Sequence, residues 1–504
     1  MTAKREFSNL LPAALLAVLV AAIPASSQAG GGQEHHNAEL SKVVRLNRAP
    51  VSNEVLKVHL PRPVVTKLPN GLTVLVLEQH KLPLVNFMLW IETGALSDPK
   101  DMPGLAGFTA EMLKEGTTHR TSAQLAADVD DIGATLNAQA PFGSTHSSIT
   151  ASGLAPSAGQ VLELMSDAVL NPTFPSDELE KYKQRQLSQL EQERSQPFSL
   201  GQEKFRQAVY QDSPASVMLP TAESIKAATP ERLKEFHDRY YVPSNAILGI
   251  VGDVKQDEIM ELVRKQFGDW KGAPVSKADW SHLPEPASSK IYLVDRPDSV
   301  QANILAGDYG ARRADPDFPA LMVMNQVLGG GPQSRLFLNL REEHGYTYGA
   351  YSRTGDDKYR EAWEANTEVR NAVTDGSMEQ LMAEFKRIRE QQVPEGELNE
   401  ARHAIVASFA LSLEQPQGIL NRWMIVQSEG LPMDYWDRYP VQVAEITPDA
   451  VKAAAQKYVD LAHLQIVCVA DAKQPGNDQK QTIRQVLEKY GTVEVYDTNG
   501  KKED

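Results

Sequence analysis

Arg341 and Tyr348 are the two residues whose types and spacing most directly suggest chemistry. They stand seven residues apart in the segment L-R-E-E-H-G-Y-T-Y. A guanidinium is a fixed cation and a phenol O–H is a neutral donor, so together they can stabilise negative charge that develops on a carbonyl oxygen. The simpler interpretation is structural, with an arginine at a helix end in a surface ion pair and a half-buried tyrosine in a strand.

The other chemically suggestive patterns are weaker. His35 and His36 lie among glutamates, but this polar segment predicts at most adventitious metal binding. The glycines at 329–331 lack the Lys-Ser/Thr of a phosphate-binding loop, and we expect them to end a helix. Neither H-E-x-x-H nor G-x-S-x-G occurs in the sequence. The single cysteine, Cys468, excludes a disulfide framework and a cysteine-built zinc site.

The charge balance of the chain is acidic. Lys and Arg number 51 against 66 Asp and Glu, which gives a formal net charge of −15. No block of Lys or Arg occurs, so we expect no nucleic-acid partner, and the acidic surface favours solubility. Hydrophobic residues make up 41% of the chain, which is typical of a globular protein.

The N-terminal segment has the pattern of a secretory signal peptide. Lys4 and Arg5 form a basic start, Leu10 to Ile23 is apolar, and P-A-S-S-Q-A-G then offers a small-residue cleavage site. The apolar run is shorter than the roughly 20 residues that cross a membrane, and no later stretch is long and apolar enough to do so. We therefore predict a signal peptide at 1–29, secretion to a bacterial periplasm, and a polar arm at 30–61.

An internal repeat divides the chain into two related halves. F-P-S-D-E-L-E at Phe174 opens a predicted helix that ends at Gln-Pro 196–197, and V-P-E-G-E-L-N at Val393 opens one that ends at Gln-Pro 415–416. Both prolines recur at an offset of 219 residues. A second pair of segments, T-P-E and T-P-D, recurs at an offset of 218. A period this long excludes a solenoid and predicts two homologous domains of roughly 200 residues each.

Each half is predicted to be an α+β unit. P-N-G between alternating apolar residues predicts a hairpin, and further strands and helices follow, with Ser122 as the N-cap of one helix. We predict two homologous lobes at 62–269 and 290–472, each an antiparallel β-sheet with helices packed on it. A Pro/Ser-rich linker at 270–289 joins them in a clamshell arrangement, and residues 473–504 form a C-terminal extension.

Five segments of the sequence together resemble one known family, although none is specific alone. They are P-N-G-L-T-V at 69, I-E-T-G-A-L-S-D-P at 91, G-L-A-G-F-T-A-E-M-L-K-E-G-T at 104, L-N-A at 136 and G-G-G-P-Q-S-R-L-F-L-N-L-R-E-E-H-G-Y-T-Y at 329. Over roughly residues 62–472 the chain resembles the pitrilysin/insulinase (M16) family of inverted-zinc metallopeptidases. The resemblance implies a two-lobed fold and a role in peptide hydrolysis.

The metal-binding motif of that family is altered here at every position. Metal-bearing members carry H-x-x-E-H, in which two His and a distant Glu hold zinc and the inner Glu activates the attacking water. Gly107 stands in place of the first His, Ala110 in place of the general base, and Glu111 in place of the second His. Gln189 stands at the distant Glu, with Tyr182 two turns earlier where a Glu is usual. We therefore expect this chain to bind no zinc.

The resemblance also assigns roles to residues that the chain retains. Arg341 and Tyr348 match a pair that, in the family, reaches across the cleft to the carbonyl group of the scissile bond. Asn137 and Ala138 match a strand edge that the family pairs with an extended substrate peptide, which is β-strand addition.

Three functions follow as hypotheses. The first is a secreted, zinc-free subunit of a two-chain metalloendopeptidase, whose homologous partner supplies H-x-x-E-H and the zinc. The second is a catalytically inert peptide-binding or structural subunit. The third is a stand-alone peptidase with altered ligands, which the loss of the general base at Ala110 argues against. Retention of Arg341 and Tyr348 favours the first, and a neighbouring reading frame that encodes a secreted H-x-x-E-H protein without this pair would distinguish it.

Overall fold

The computed structural model describes residues 56–280 and 282–503, which belong to one compact unit. The predicted signal peptide (1–29) and most of the predicted arm (30–61) lie outside the described residues. Within the described ranges, no helix has the length and apolar character to span a membrane.

Twelve strands in two sheets form the framework of the described residues. They are β1 (Val64–Lys67), β2 (Thr73–Glu78), β3 (Leu84–Ile91), β4 (Thr135–Gln139), β5 (Ser147–Leu154), β6 (Ala246–Gly252), β7 (Lys290–Asp295), β8 (Gln301–Tyr309), β9 (Thr347–Thr354), β10 (Ala362–Arg370), β11 (Gln465–Ala470) and β12 (Val493–Tyr496).

The two sheets correspond in five of their six strands. The first has the order β1-β2-β6-β3-β5-β4, and the second has the order β12-β7-β11-β8-β10-β9. The register corresponds as well. Trp90 on β3 lies opposite Ser148 on β5, and at the equivalent place in the second sheet Gly307 on β8 lies opposite Glu364 on β10. This correspondence confirms the predicted pair of related lobes, each with helices packed on a sheet.

Both sheets are mixed, whereas the sequence predicted antiparallel ones. β6 runs parallel to β2, and both β11 and β12 run parallel to β7. Hairpin signals in a sequence reveal antiparallel neighbours only, while parallel neighbours are joined by long connections that leave no local signature. The outer strands also differ in origin. β1 pairs with β2 across the predicted hairpin, and β12 comes from the residues predicted as a C-terminal extension.

Sixteen helices surround these sheets in the described residues. They are α1 (Leu105–Met112), α2 (Ser122–Asp131), α3 (Ala158–Leu170), α4 (Ser176–Ser195), α5 (Pro197–Tyr210), α6 (Ala222–Ala227), α7 (Pro230–Tyr240), α8 (Gln256–Phe267), α9 (Phe318–Gly329), α10 (Arg335–Phe337), α11 (Thr374–Glu390), α12 (Glu395–Ser412), α13 (Pro416–Glu429), α14 (Tyr435–Ala444), α15 (Pro448–Tyr458) and α16 (Ile483–Leu487).

Local sequence signals explain where several helices begin. α5, α7, α13 and α15 each start on a proline, which is favoured at the first helical position because its missing N–H is not needed there. The predicted N-cap of α2 was wrong by one residue. Thr121, not Ser122, caps α2 in a capping box with Gln124, because both the side chain of Gln124 and its backbone N–H bond to Thr121.

One helix of each lobe packs on the sheet of the other lobe. α5 packs on β8 and β11, and α13 packs on β2 and β6. Gln202 on α5 donates a hydrogen bond to Glu364 on β10 at 2.7 Å, and Gln417 on α13 donates to Asn86 on β3 at 2.5 Å. Since α5 and α13 follow the two repeated Gln-Pro breaks, the exchange is symmetric. The lobes are therefore joined by two packed helices as well as by the predicted linker.

Helix α13 lies deep in the core that the lobes share. Trp423 is 1% exposed, and its indole N–H donates to the carbonyl of Pro61 at 2.9 Å. Gly249 on β6 allows the close approach, because a Cβ there would lie 2.8 Å from side-chain atoms of Leu420 and Met424. The same apolar core includes residues from both sheets. The two lobes therefore share one apolar core.

Candidate functional site

Three of the predicted site residues lie on the two edge strands β4 and β9. β4, the last strand of the first sheet, carries Asn137 and Ala138, and β9, the last strand of the second, carries Tyr348. Asn137 is exposed and Ala138 is buried against the lobe core. An edge strand presents unpaired backbone N–H and C=O groups, which makes it a template for pairing with another extended chain.

Helix α1 runs beside β4 and carries the altered metal motif. A Cβ added at Gly107 would meet only the carbonyl oxygen of Ala140, at 3.2 Å, so the space in front of this position is open. Ala110 is fully buried. The Glu111 side chain is 41% exposed, and its carboxylate lies 3.3 Å from the ammonium of Lys114.

Asp98 fixes the start of α1. Its two carboxylate oxygens accept hydrogen bonds from the backbone N–H groups of Gly104 at 2.7 Å and Ala106 at 2.8 Å. Burial raises the pKa of Asp98 to about 7, while the bonds from these N–H groups act to lower it. Gly104, which precedes α1, has a φ of +97° and no side chain to cap the helix. Asp98 therefore takes over the capping role and orients α1 against β4.

Replacing Asp98 by alanine is expected to lower the free energy of unfolding by about 1–2 kcal/mol, because the first N–H groups of α1 lose their acceptors. Chemical denaturation followed by circular dichroism measures this loss. Asp101→Ala serves as the control, since Asp101 makes only an exposed ion pair with Arg232, and we expect it to cost less than about 1 kcal/mol. Equal losses in the two variants would contradict the capping role.

Tyr182 lies on α4 and packs against α1. It is buried, and its ring meets Phe108 edge-on, with 5.8 Å between the ring centroids. Burial raises the pKa of Tyr182, the nearby Glu111 carboxylate raises it further, and the Arg185 guanidinium lowers it. Gln189 lies seven residues further along α4 and is exposed. An aromatic ring thus fills the position where the family usually has a Glu.

These residues do not fit a zinc ion. Of the four positions, Gly107 and Ala110 offer no side-chain donor, Gln189 offers a neutral amide, and Glu111 is already paired with Lys114. A catalytic zinc needs about three protein ligands and an open position. Among residues 56–280 and 282–503, no group of three or more His, Cys, Asp or Glu is placed to hold a metal ion.

Arg341 lies in a π-helical turn, Leu338–Glu343, that leads towards β9. Its guanidinium carbon lies 4.9 Å from the centroid of the Phe337 ring, and its Nε lies 3.5 Å from the carboxylate of Glu342. The side chain is about half exposed. The guanidinium of Arg341 therefore packs on the Phe337 ring and remains accessible to solvent.

Tyr348 projects from the start of β9. It is 92% exposed, so the structural interpretation of a half-buried strand residue is wrong. The strand itself is held in place here, because Thr347 donates a side-chain hydrogen bond to the carbonyl of Glu368 on β10 at 2.7 Å. Almost all of the Tyr348 side chain is therefore accessible to a second molecule.

The solvent side of the first sheet is polar and uncharged near β4. The side chains there lie opposite the core residues Ala138 and Ile149 and pair across the two strands in register. They are Thr135 with Ser152, Asn137 with Thr150, and Gln139 with Ser148. These three pairs form a strip of polar, uncharged side chains along β4 and β5.

A cavity of about 420 Å³ lies beside β4, and the sequence analysis did not predict it. Leu125 and Val129 of α2 and Leu136 of β4 contribute apolar wall, and Lys114 and Asp130 lie among its polar residues. Leu125 and Val129 stand one helical turn apart. This spacing predicts a helix face buried in the core, so the sequence does not indicate a cavity there. A peptide paired with β4 would have this cavity next to it.

Two family models match the chain. Residues 73–221 match the model described as Insulinase (Peptidase family M16), and residues 227–405 match the model described as Peptidase M16 inactive domain. Together these segments span well over half of the sequence.

Individual relatives agree with this assignment. An uncharacterized zinc protease of Mycobacterium leprae is 28% identical over 293 residues, which are 57% of this chain and 64% of that protein, just under two thirds of its length. A probable mitochondrial-processing peptidase subunit β of Arabidopsis thaliana is 28% identical over 273 residues, 53% of this chain and 51% of that protein. The crystal structure of a peptidase M16 inactive domain from Pseudomonas fluorescens matches with a TM-score of 0.75 and 25% identity, covering 81% of this chain and 98% of that one. The chain belongs to peptidase family M16.

Proposed function

We propose that this chain is the zinc-free subunit of a two-chain M16 metalloendopeptidase. One observation carries the proposal: an exposed tyrosine with an accessible arginine close before it in sequence, in a chain whose own metal positions cannot hold a metal. A side chain this exposed contributes little packing to the fold, which favours a role towards a second molecule. The pair therefore serves a substrate or a partner.

The reaction assigned to the pair is stabilisation of charge on the scissile carbonyl. A homologous partner with H-x-x-E-H would hold the zinc and supply the activated water. The Tyr348 O–H donates a hydrogen bond to the carbonyl oxygen, and the Arg341 guanidinium adds a fixed positive charge. Both interactions strengthen as the oxygen gains charge, which is how such donors accelerate a reaction.

The peptide itself is held through its backbone. An extended segment adds to the free edge of β4 at Asn137 and Ala138, in the manner of β-strand addition. The uncharged polar surface beside this edge and the adjoining cavity support a chamber that accepts varied, unfolded peptides. This chain contributes one half of that chamber, and its partner contributes the other.

The proposed setting is the bacterial periplasm. It rests on the N-terminal pattern of basic, apolar and small residues, which is that of an exported protein. The partner is accordingly a second exported chain.

A second candidate function is a catalytically inert peptide-binding or structural subunit. The free edge of β4 and its cavity favour this function independently, because they need no chemistry from Arg341 or Tyr348. The two functions differ in whether the pair changes a rate or only a binding constant.

Mixing the two chains tests the proposal. The mature chain is combined with a homologous exported protein that carries H-x-x-E-H, and size-exclusion chromatography and hydrolysis of an unfolded peptide are followed. We expect a heterodimer, with hydrolysis that requires both chains. Full hydrolysis by the zinc-bearing chain alone, unchanged on addition of this one, would support the inert subunit instead.

A further inference from the structure

Arg353 on edge strand β9 is held by a carboxylate buried beneath it. Arg353 stands directly across from Glu364 on β10, and its Nε lies 2.7 Å from the Oε1 atom of Glu364. Glu364 is 4% exposed, and the side-chain amide of Gln202, on the exchanged helix α5, donates to the same Oε1 at 2.7 Å. The Arg353 side chain nevertheless remains 61% exposed. A buried acid and a buried amide thus fix an accessible cation.

The sheet does not need this ion pair. The equivalent positions in the first sheet are Gln139 and Ser148, which pair across β4 and β5 in the same register and carry no charge. Burying a carboxylate is unfavourable unless a partner compensates it. The second lobe has this buried carboxylate, Glu364, where the first lobe has the neutral Ser148. This difference indicates that Arg353, which Glu364 orients, has a function.

The free part of the Arg353 guanidinium has the geometry of a carboxylate receptor. Its Nε–H is used by Glu364, and its two Nη atoms have no partner within residues 56–280 and 282–503. These nitrogens form a planar fork that matches the two oxygens of a carboxylate. Arg353 follows Tyr348 by five residues on β9, a spacing that places side chains on opposite faces of a regular strand. The register of β9 against β10 shifts between Thr347 and Ala350, which interrupts this alternation, and both side chains are exposed. Their separation of roughly 17 Å along the strand is within reach of one short extended peptide.

We propose that Arg353 anchors a carboxylate of the bound peptide. The carboxylate is either the α-carboxylate of the peptide's C-terminus or the side chain of an Asp or Glu. This inference rests on the proposed function, because it requires a peptide in the chamber of this chain. Arg353 is a specificity-determining residue in this account and takes no part in the reaction.

Peptide binding to the full mature chain, without any partner, tests the inference. Fluorescence anisotropy at low salt compares labelled, unfolded peptides of one sequence. One pair differs only in a free-acid or amidated C-terminus, and a second, amidated pair differs only in a Glu or Gln. We expect tighter binding of the carboxylate-bearing member of one pair by about 10-fold, the usual size for a hydrogen-bonded charge. The pair that shows the difference identifies the source of the carboxylate.

Arg353→Met is expected to abolish this preference and to leave the affinity for the neutral peptides unchanged. Arg353→Lys, which keeps the charge but loses the fork, is expected to retain only part of it, and it serves if the Met variant does not fold. Loss of thermal stability with an intact preference would show that the ion pair is merely structural and would overturn the inference. Equal binding of all peptides by the wild type overturns the inference alone, whereas binding of none overturns the proposed peptide chamber with it.

Discussion

Tyr348→Phe is expected to lower kcat of the reconstituted two-chain enzyme on the order of 10²-fold, roughly 2.7 kcal/mol, with little change in KM. The variant removes only a hydroxyl from a side chain that is 92% exposed, so the fold loses no contact. The hydroxyl acts on the carbonyl oxygen as it gains charge and much less on the bound peptide, and this difference places the effect in kcat. Steady-state kinetics of the purified heterodimer provide the measurement.

Tyr351→Phe is the matched control for this variant. Tyr351 lies on the same strand, and its ring packs on Phe337 at a centroid distance of 5.6 Å, a contact that the variant keeps. We expect wild-type kinetics from it. Arg341→Ala is expected to lose at least as much activity as Tyr348→Phe, since it removes a full charge. If both site variants form the heterodimer and cleave at the wild-type rate, the pair has no catalytic role and the inert subunit becomes the better account.

Trp423→Ala is expected to lower the free energy of unfolding by about 3–5 kcal/mol. The substitution empties a buried site on the exchanged helix α13 and removes the hydrogen bond to the carbonyl of Pro61. Because α13 covers the sheet of the first lobe while it belongs to the second, both lobes should lose stability together. Urea denaturation followed by fluorescence and circular dichroism measures the transition.

The control for Trp423→Ala is Leu411→Ala, at an exposed position near the end of α12. A surface substitution of this kind is expected to change the free energy of unfolding by no more than about 0.5 kcal/mol. Two separate transitions in the Trp423 variant, with only one displaced, would mean that the lobes unfold independently and that the helix exchange does not couple them.

The duplication could be predicted from the sequence because its signals are local. Prolines at the start of helices act within a few residues, so the recurrence of these prolines at offsets of 218 and 219 marks equivalent elements. Asn137 and Tyr348 were both predicted to lie on strands, and the structure places both strands on the edges of their sheets. For Asn137 the edge position followed from the resemblance to the family, whereas the edge position of Tyr348 was not predicted.

The helix exchange could not be predicted in this way. An apolar face such as that of α13 has the same period whether the helix packs on its own lobe or on the other one. The exposure of Tyr348 could not be predicted from the sequence either. The alternation of side chains in β9 does not indicate which of its residues neighbouring helices cover. The Arg353–Glu364 pair was missed for a related reason, since residues 11 positions apart become neighbours only through strand register.

The zinc content of the isolated chain tests the central claim most directly. The mature protein is dialysed against a chelator, returned to buffer with zinc, freed of excess metal and analysed, and its hydrolysis of an unfolded peptide is measured in parallel. Because Gly107, Ala110, Glu111 and Gln189 offer no zinc site, we expect far less than one zinc per chain and no hydrolysis. About one tightly held zinc per chain, together with hydrolysis that a chelator abolishes, would contradict the account.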